Sequence, residues 1–503
     1  MKRVVLVALL FLLTLSTFTY AVDKKYIPNN VDSVVSLNAE LLSQKAEIDL
    51  QQILNQLFMQ KYADNFLEYR DDPFVAEVMT NKLNEYIDFS KPAKVISFNG
   101  YQQMSVILDV KNSTELDKVM IKIASQEDKL VAFSENAEYR YIKLDEYNLI
   151  SWNDEVFTVT LKLKGSYWYD EELNKEDITS IANYIFVNNT PLEDEKFLSL
   201  ENETNDSYAW VNLSILADEN ASFSKFLLGR SYDSIPKESY KDSIITTKIN
   251  FTNGEAEMIF DSYAPNYPYD ITLLKKQLAD NIYGFVNGEN NYGFLSLSLN
   301  TKELATHMKN VFSNMRGFSL AEDFKTLEKY GVDVYKFIEI FGGDIFFSVW
   351  DNGEGDENMP ALLFSASIAD VDMAKIILKA LSDSINNDIY IVDGYVCYIK
   401  DSILYASDSE DVINSIINGE APATKLDENK LNLAKNNTMS IYLEFSPNLS
   451  LYGVGDEYTE AFESMYFTSN ILEANHTQMI LKVTTRDKER NSLAVMKSFF
   501  GLE

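Results

Sequence analysis

The hydrophobic and polar positions of this chain predict short strands and amphipathic helices in an order that occurs twice. In the first half, an apolar strand at 34–37 precedes a helix with apolar side chains at i, i+3, i+4, i+7 and i+8, namely Leu50, Ile53, Leu54, Leu57 and Phe58. In the second half, a strand at 294–299 precedes a helix with the same spacing, namely Leu304, His307, Met308, Val311 and Phe312. Each pattern predicts a strand that leads into a helix with one buried face.

Short stretches of sequence repeat together with this pattern. Ser36-Leu37-Asn38-Ala39-Glu40-Leu41-Leu42 returns as Ser298-Leu299-Asn300-Thr301-Lys302-Glu303-Leu304, and Tyr141-Ile142-Lys143 returns as Tyr398-Ile399-Lys400. A predicted hairpin and a further helix follow the first strand and helix in each half, and we expect Asn112 or Ser113 and Asp370 to cap those further helices. The chain is therefore interpreted as two related copies of one unit.

Hairpins and meanders dominate the predicted order, which differs from the strict alternation that builds a parallel sheet. We therefore predict an α+β fold made of two related repeats, each a mainly antiparallel sheet with helices packed on one face. Gly284, Gly288, Asn290 and Asn291 interrupt the pattern between the copies. The first repeat is placed at 22–285, with an insertion near 157–177, and the second at 286–503.

The N-terminal residues have the layout of a secretory signal peptide. Lys2 and Arg3 precede an apolar run from Val4 to Phe18, and Ala21 offers a small residue at the cleavage position. We expect residues 1–21 to be removed on export, an uncleaved anchor being the alternative. No cysteine follows the run, so a lipidated N-terminal cysteine is not expected, and no later apolar run suits a transmembrane span. The mature chain is expected in the periplasm, at the cell surface or outside the cell.

The charge balance narrows the range of partners. The chain carries 77 Asp and Glu against 44 Lys and Arg, a formal net charge of −33. Such a negative surface repels phosphate backbones, which makes nucleic acid a poor partner, whereas a cationic partner or a loosely held divalent ion fits the charge. We expect the partner to be an envelope or extracellular protein or polymer whose identity the sequence leaves open.

Residues suited to catalysis are scarce. The single Cys397 lies in an apolar, strand-favouring run, so a buried thiol is expected. His307 and His476 fall in distant segments, which does not favour a transition-metal site. The sequence contains no phosphate-binding loop, dinucleotide-binding fingerprint, nucleophile elbow or zinc-binding helix, and Gly453-Val454-Gly455-Asp456 is interpreted as a loop. We therefore predict no cofactor and no catalytic residue.

An acidic turn after Trp350 is the first of two candidate sites at which the halves differ. Asp351, Glu354 and Asp356 could supply oxygen ligands to Ca²⁺, although glycines stand where an EF-hand loop needs ligands. A solvated hairpin loop is the competing interpretation.

The second candidate site lies in the predicted insertion. Tyr167, Trp168 and Tyr169 could form an exposed platform for a glycan or a peptide. Burial of these rings against a sheet is the ordinary alternative, because aromatic side chains suit half-buried strands.

Several short stretches resemble a known family. They are Tyr26-Ile27-Pro28, Phe197-Leu198-Ser199, Ala209-Trp210-Val211-Asn212-Leu213, Phe251-Thr252-Asn253-Gly254-Glu255-Ala256, Phe294-Leu295-Ser296-Leu297-Ser298-Leu299-Asn300 and Phe341-Gly342-Gly343-Asp344-Ile345. Over nearly all of the mature chain they look like an uncharacterised domain-of-unknown-function family of exported bacterial envelope proteins. The resemblance implies an envelope location and no assigned catalytic residues. Many members are lipoproteins, and this chain departs from them by lacking the lipidated cysteine.

These observations favour a non-enzymatic exported envelope protein with a binding or scaffolding role. One alternative is a hydrolase of envelope or host polymers that uses a carboxylate pair, and another is a surface protein that binds Ca²⁺ weakly. Two convergent carboxylates in a cleft would favour the hydrolase. A broad apolar patch or an unpaired sheet edge would favour the binding protein.

Overall fold

The computed structural model describes residues 23–37, 39–48, 83–98, 103–126, 129–134, 137–162, 177–187, 190–214, 237–266, 277–279, 281–314, 334–351, 360–473 and 475–499. The chain divides into two compact units. The first unit comprises Met1–Asn266 and Glu489–Glu503, and the second comprises Tyr267–Lys488. The predicted helical stripe from Leu50 to Phe58 lies outside the described residues, as does the predicted signal peptide.

The first unit is built on an antiparallel sheet. Its described strands are β1 Ser33–Leu37, β2 Ala93–Phe98, β3 Gln103–Asp109, β4 Ala132–Phe133, β5 Arg140–Lys143, β6 Asn148–Trp152, β7 Val156–Lys162, β8 Ser207–Asn212, β9 Ile244–Thr252 and β10 Glu255–Tyr263. Their order across the sheet is β4-β5-β6-β7-β3-β2-β1-β8-β9-β10. Sequence neighbours mostly pair through short turns, as the predicted hairpins require.

The described helices of the first unit cover both faces of this sheet. They are α1 Ala39–Ala46, α2 Leu83–Tyr86, α3 Ser113–Gln126, α4 Ile178–Phe186, α5 Glu195–Asn202 and the C-terminal helix Ser492–Phe499. Val95 packs in a core with α3, whereas Ile96, the next residue on β2, packs in a separate core with α4 and α5. Successive strand residues point to opposite faces, so β2 is buried on both sides. The prediction that helices lie on one face is therefore wrong.

The second unit has a sheet of the same kind. Its described strands are β11 Asn291–Ser298, β12 Phe341–Trp350, β13 Ala361–Ile368, β14 Ser384–Asn386, β15 Ile389–Val392, β16 Tyr395–Lys400, β17 Ile403–Ser407, β18 Met439–Glu444, β19 Phe462–Glu473 and β20 His476–Thr485. Their order is β14-β15-β16-β17-β13-β12-β11-β18-β19-β20. All these pairs are antiparallel, and the order matches that of the first unit strand for strand.

Helices again lie on both faces of the sheet. The described ones are α6 Thr301–Asn314, α7 Val334–Ile340, α8 Val371–Leu381, α9 Glu410–Asn418, α10 Glu428–Asn436 and α11 Asp456–Ala461. Phe346 packs in a core with α9 and α10, and Ile368 packs in another with α7 and α8. The fold is therefore α+β with antiparallel sheets, as predicted.

Two predicted helix caps are confirmed. The Asn112 side chain accepts a hydrogen bond from the Glu115 backbone N–H at 3.2 Å, at the start of α3. The Asp370 carboxylate accepts one from the Met373 backbone N–H at 3.0 Å, at the start of α8. Each cap satisfies a backbone donor that the first turn of a helix leaves free.

The division between the units differs from the predicted boundary at 285/286. Leu278, Ile282 and Val286 all pack in the core of the second unit, so this unit begins before the glycine-rich stretch. Residues 489–503 belong to the first unit. Glycine and asparagine residues interrupt the hydrophobic pattern between 284 and 291. The core against which a segment packs, however, decides to which unit the segment belongs.

The strand order also changes one predicted correspondence between the halves. β5 holds the same place in the first sheet as β15 in the second, and β6 the same place as β16. Tyr141-Ile142-Lys143 lies on β5, whereas Tyr398-Ile399-Lys400 lies on β16, so that predicted match is displaced by one strand. Moreover, Phe157–Lys162 is part of β7 and pairs with β3, so the chain from 157 to 162 is an integral strand rather than an insertion.

Candidate functional site

The structure describes only one of the residues that the sequence singled out as candidate sites. Glu354 and Asp356 of the acidic turn, and Tyr167, Trp168 and Tyr169, lie outside the described residues. Among the residues that are described, no three His, Cys, Asp or Glu side chains are grouped so that they could hold a metal ion.

Asp351 is described, and two of its hydrogen bonds connect it to other segments of the second unit. Its backbone N–H donates to the carbonyl oxygen of Asn290 at 3.1 Å. Its carboxylate accepts a hydrogen bond from the Asn448 side-chain amide at 3.1 Å. Asp351 therefore ties the end of β12 to the segment that follows β18.

Cys397 is a buried thiol on β16, as predicted. It packs with Leu378 and Tyr390, and burial raises its pKa to about 11. The reactive thiolate is therefore scarce at neutral pH. His476 is the first residue of β20, and the His307 side chain lies outside the described part of the chain.

An apolar pocket lies on the second unit's sheet, over the three adjacent strands β12, β11 and β18. Leu295 stands opposite Phe347 on one side and Ile441 on the other. Gly293, two residues earlier on β11, stands opposite Val349 and Leu443. Because alternate strand residues face one side of a sheet, these six residues form a common floor, and all six line the pocket.

Gly293 gives the floor its shape. The pairing of β11 with β12 shifts register between Asn291 and Gly293. A Cβ atom on Gly293 would lie 2.4 Å from the carbonyl oxygen of Tyr442 and 3.1 Å from Cδ2 of Leu443. Only glycine fits this close approach of two backbones, which is the usual reason for a glycine inside a strand.

One wall of the pocket is the segment after β18, which we call the rim segment, residues 445–455. Phe445, Leu449 and Val454 of this segment line the pocket. It contains the 3-10 helix Pro447–Tyr452, which begins after the cap Ser446 and ends at Gly453, where φ is 85°. A serine cap, a proline in the first turn and a left-handed glycine at the end are the residues that start and stop such a turn.

Hydrogen bonds hold the rim segment near both ends. The Arg486 guanidinium donates to the carbonyl oxygen of Phe445, where the segment begins, and to that of Thr459 in α11, which follows the segment. Asn448, inside the segment, donates to Asp351. The wall is therefore attached to the residues that follow β20 and β12, as well as to its own strand.

The chemistry of the pocket is that of an apolar binding site. It encloses about 460 Å³, within the range of roughly 300–1,000 Å³ typical of small-molecule sites. Among the described residues that line it, Glu444 is the single acidic or basic one. The Glu444 carboxylate accepts hydrogen bonds from Lys430, with which it forms an ion pair, and from the Tyr442 hydroxyl at 3.3 Å. Burial, with the nearby Glu444 charge, raises the pKa of Tyr442, so its hydroxyl keeps its proton.

Sequence reasoning missed this site. Its floor comes from three strands that lie far apart along the chain, and the wall falls in the glycine-containing segment that the sequence analysis interpreted as a loop. The alternation of Gly293, Leu295 and Leu297, and of Met439, Ile441 and Leu443, was a usable signal. It indicates that each of the two strands has an apolar face, but it does not indicate that the two strands lie side by side.

Comparison with known proteins gives one close relative of this chain. No protein-family model matches the chain. A Brachyspira hyodysenteriae protein described as "uncharacterized protein in tlyA 5′ region" is 65% identical over 151 residues, which are 30% of this chain and 99% of that protein. Crystal forms I and III of TP0453 are each 11% identical, with TM-scores of 0.29, and cover 49% and 50% of this chain and 81% and 83% of theirs. Those scores are too low to carry an argument. The chain belongs to the same family as the uncharacterized Brachyspira hyodysenteriae protein from the tlyA 5′ region.

Proposed function

We propose that this protein is an exported, non-enzymatic envelope protein whose second unit binds an apolar chain, such as the acyl chain of a lipid or fatty acid. The observation that carries the proposal is the pocket over β12, β11 and β18, with its apolar floor and wall. A ligand buried there gains from removal of apolar surface from water and finds few groups to bind a polar atom. Leu443, which is 41% exposed, marks where the ligand's polar end would meet solvent.

The same pocket disfavours the hydrolase alternative. Hydrolysis of a glycan by a carboxylate pair needs two acidic side chains that face one cleft. Among the described residues that line this pocket the acidic one is Glu444, and its carboxylate is engaged by Lys430 and Tyr442 on the opposite face of β18. The arrangement suits binding better than bond cleavage.

Two further features support the proposal of an exported protein with a repeated architecture. The basic start, apolar run and small residue at 2–21 are typical of a secretory signal. The identical strand order of the two sheets favours two related repeats, and both Ser36 and Ser298 lie near the end of a first strand that leads into a helix. Duplication followed by divergence would explain a pocket built from residues of one copy.

Ligand binding is tested by titrating the purified protein with octanoate, dodecanoate and hexadecanoate in competition with a fluorescent apolar probe. Each buried methylene contributes about 0.8 kcal/mol, so affinity should rise roughly fourfold per methylene until the pocket is full. The absence of binding to the whole series, or an affinity independent of chain length, would overturn the proposal.

Substitution of two leucines with similar exposure tests whether the ligand binds in the pocket. Leu443 lines the pocket and is 41% exposed, whereas Leu472 on β19 is 45% exposed and does not line it. Leu443→Asp should weaken binding because it brings a charge to the pocket, and Leu472→Asp should leave binding unchanged. Equal effects of the two variants would mean that binding occurs elsewhere on the protein.

Export is tested separately, by expressing the full chain in a bacterium and fractionating the cells. The expected product lies outside the cytoplasm and begins at residue 22, as N-terminal sequencing would show. A chain that keeps its first residues and stays in the cytoplasm would contradict this part of the proposal.

A further inference from the structure

The pocket floor of the second unit has a direct counterpart in the first unit, with different chemistry. Leu295 on β11 stands between Phe347 on β12 and Ile441 on β18. In the first unit, Ser33 on β1 stands between Ser97 on β2 and Val211 on β8. A row of three apolar residues is thus replaced by two serines and a valine.

Strand order and register make these rows equivalent. β1, β2 and β8 hold the same places in the first sheet as β11, β12 and β18 in the second. Ser36 and Ser298 are the repeated serines that precede a helix, and each stands three residues beyond the residue at the centre of its row. Ser36 accepts a hydrogen bond from Lys94, which also reaches Glu201 in α5. Ser298 lies on the same face of β11 as Ser296, whose hydroxyl donates to a carbonyl oxygen of α10. Because α5 and α10 come directly before the equivalent strands β8 and β18, Ser36 and Ser298 face the same side of their sheets. Ser33 and Leu295 therefore both face the opposite side.

The serine pair is a satisfied, buried polar contact. The Ser33 and Ser97 hydroxyls lie 2.7 Å apart and share a hydrogen bond, and the two residues are 6% and 2% exposed. This hydrogen bond offsets the free-energy cost of burying the two hydroxyls. A serine side chain also offers an acyl chain much less apolar surface than leucine or phenylalanine does. The same place in the two sheets therefore has opposite preferences for an apolar ligand.

We infer that Leu295 and Phe347 are the residues that determine the preference for an apolar chain, and that they confine its binding to the second unit. This inference rests on the proposed function. It assigns the ligand to one of two related sheets and names the positions at which the sheets diverged.

The test exchanges floor residues in the full protein and measures dodecanoate affinity. Leu295→Ser and Phe347→Ser, which copy the first unit, should each lower affinity about tenfold or more, because each removes much of a large apolar contact. Leu295→Met and Phe347→Leu, which keep the floor apolar, should bind within a few-fold of the unaltered protein. Thermal unfolding of each variant shows whether it is folded.

A matched pair across the units supplies the control. Ile441→Ser should weaken binding, whereas Val211→Ser, the same change at the equivalent position of the first unit, should not. Equal losses from both variants would overturn the inference, as would folded serine variants of Leu295 and Phe347 that bind as the unaltered protein does.

A second measurement covers the case in which the serine variants do not fold. A photoreactive fatty acid bound to the unaltered protein should label peptides that contain Leu295, Phe347 or Ile441. Labelling of β1, β2 or β8 instead would overturn the inference while leaving apolar-ligand binding intact. Failure of the unaltered protein to bind any fatty acid would instead overturn the proposed function, so the two failures are distinct.

Discussion

A buried lysine and a buried aspartate hold the same register position in the two sheets. Lys94 on β2 stands opposite Ser36 and is 1% exposed, and Asp344 on β12 stands opposite Ser298 and is 6% exposed. The Lys94 ammonium donates to Glu201 and to the Tyr208 hydroxyl, and to the Ser36 hydroxyl at 3.1 Å. The Asp344 carboxylate accepts from the Ser298 hydroxyl at 2.8 Å. Each of these buried side chains has hydrogen-bond partners within its own unit, as burial of a polar group requires.

Removing the partner of Lys94 should destabilise the protein strongly. Burial lowers the pKa of Lys94, and the nearby Glu201 opposes that change by favouring the charged form. Glu201→Leu leaves a buried charge without its counter-ion and should cost about 3–5 kcal/mol. The double variant Lys94→Met, Glu201→Leu should recover most of this loss, as measured by urea unfolding.

An exposed ion pair provides the control for that prediction. Glu115 and Lys118 are paired at 2.6 Å with side chains 44% and 65% exposed. Glu115→Gln should therefore change the free energy of unfolding by at most about 1 kcal/mol. If Glu201→Leu cost no more than Glu115→Gln, the buried pair would not have the role assigned to it.

The stability conferred by Asp177 should depend on pH. Its carboxylate accepts hydrogen bonds from the Lys143 ammonium at 2.6 Å and from the Thr179 backbone N–H, at 2.9 Å, where it caps α4. These contacts hold the pKa of Asp177 at about 2. A depressed carboxylate pKa means that the stabilisation is complete above the unfolded-state pKa and is lost as pH falls toward 2.

Asp177→Ala should accordingly cost about 1 kcal/mol at neutral pH, through loss of the cap. The difference between the unaltered protein and the variant should shrink between pH 4 and pH 2, as the Asp177 carboxylate takes up a proton. Urea unfolding at a series of pH values measures this difference. A difference that stays constant down to the lowest pH would show that the charged form is not what stabilises the helix.

Among the elements, β11 shows how one strand serves both the core and the pocket. Phe294 packs in the core with Phe346, while Gly293 and Leu295 line the pocket on the other face. The rim segment closes the same side, and Arg486 holds it near both ends. The shape of the pocket therefore depends on the close spacing of β11 and β18 around Gly293.

Gly293→Ala tests that dependence. Its Cβ would meet the backbone oxygen of Tyr442 at 2.4 Å, so β11 and β18 must move apart. We expect a loss of about 1–3 kcal/mol from overpacking, together with weaker binding of apolar ligands. Thermal unfolding and probe titration measure the two effects.

Gly284→Ala is the matched control for this substitution. The nearest atom to a Cβ on Gly284 is the carbonyl oxygen of Asn281 at 3.5 Å, an ordinary contact. This variant should be as stable as the unaltered protein or slightly more so, because alanine restricts the unfolded chain. A Gly293→Ala protein as stable as the Gly284→Ala protein would contradict the tight strand spacing.

At the scale of the whole molecule, the chain leaves the first unit, builds the second and then completes the first. The C-terminal helix belongs to the first unit, where Ala494 is fully buried. Ser492 donates to the carbonyl oxygen of Glu255 at 2.7 Å, and the Arg490 guanidinium binds Glu47 through two nitrogens at 2.9 and 2.6 Å. The last residues thus hold β10 and the end of α1.

Truncation after Lys488 should therefore weaken the first unit and spare the second. It removes the buried apolar face of the C-terminal helix and its hydrogen bonds to the ends of β9 and β10. Hydrogen exchange followed by mass spectrometry should show faster exchange in β9 and β10 and unchanged exchange in β11, β12 and β18. Faster exchange throughout both units, or in neither, would contradict the assignment of the C-terminal residues to the first unit.

Local features of this fold were readable from residue order because they depend on neighbours a few positions away. Asn112 and Asp370 cap helices through backbone groups three residues on, and the apolar run around Cys397 indicates a buried strand. Hairpin-rich patterning likewise predicted antiparallel α+β architecture. Side-chain and backbone geometry within one or two turns decides each of these.

Features that depend on distant segments were not readable in this way. Val95 and Ile96 face different helices, and the pattern of β2 does not say how many layers cover it. The C-terminal helix joins the first unit because of what it packs against, although it follows the second in the chain. The pocket exists because β18 lies beside β11 after more than a hundred intervening residues, a pairing set by the mutual burial of strand faces. Such pairings depend on which faces meet in the folded sheet, and residue order records only that each face is apolar.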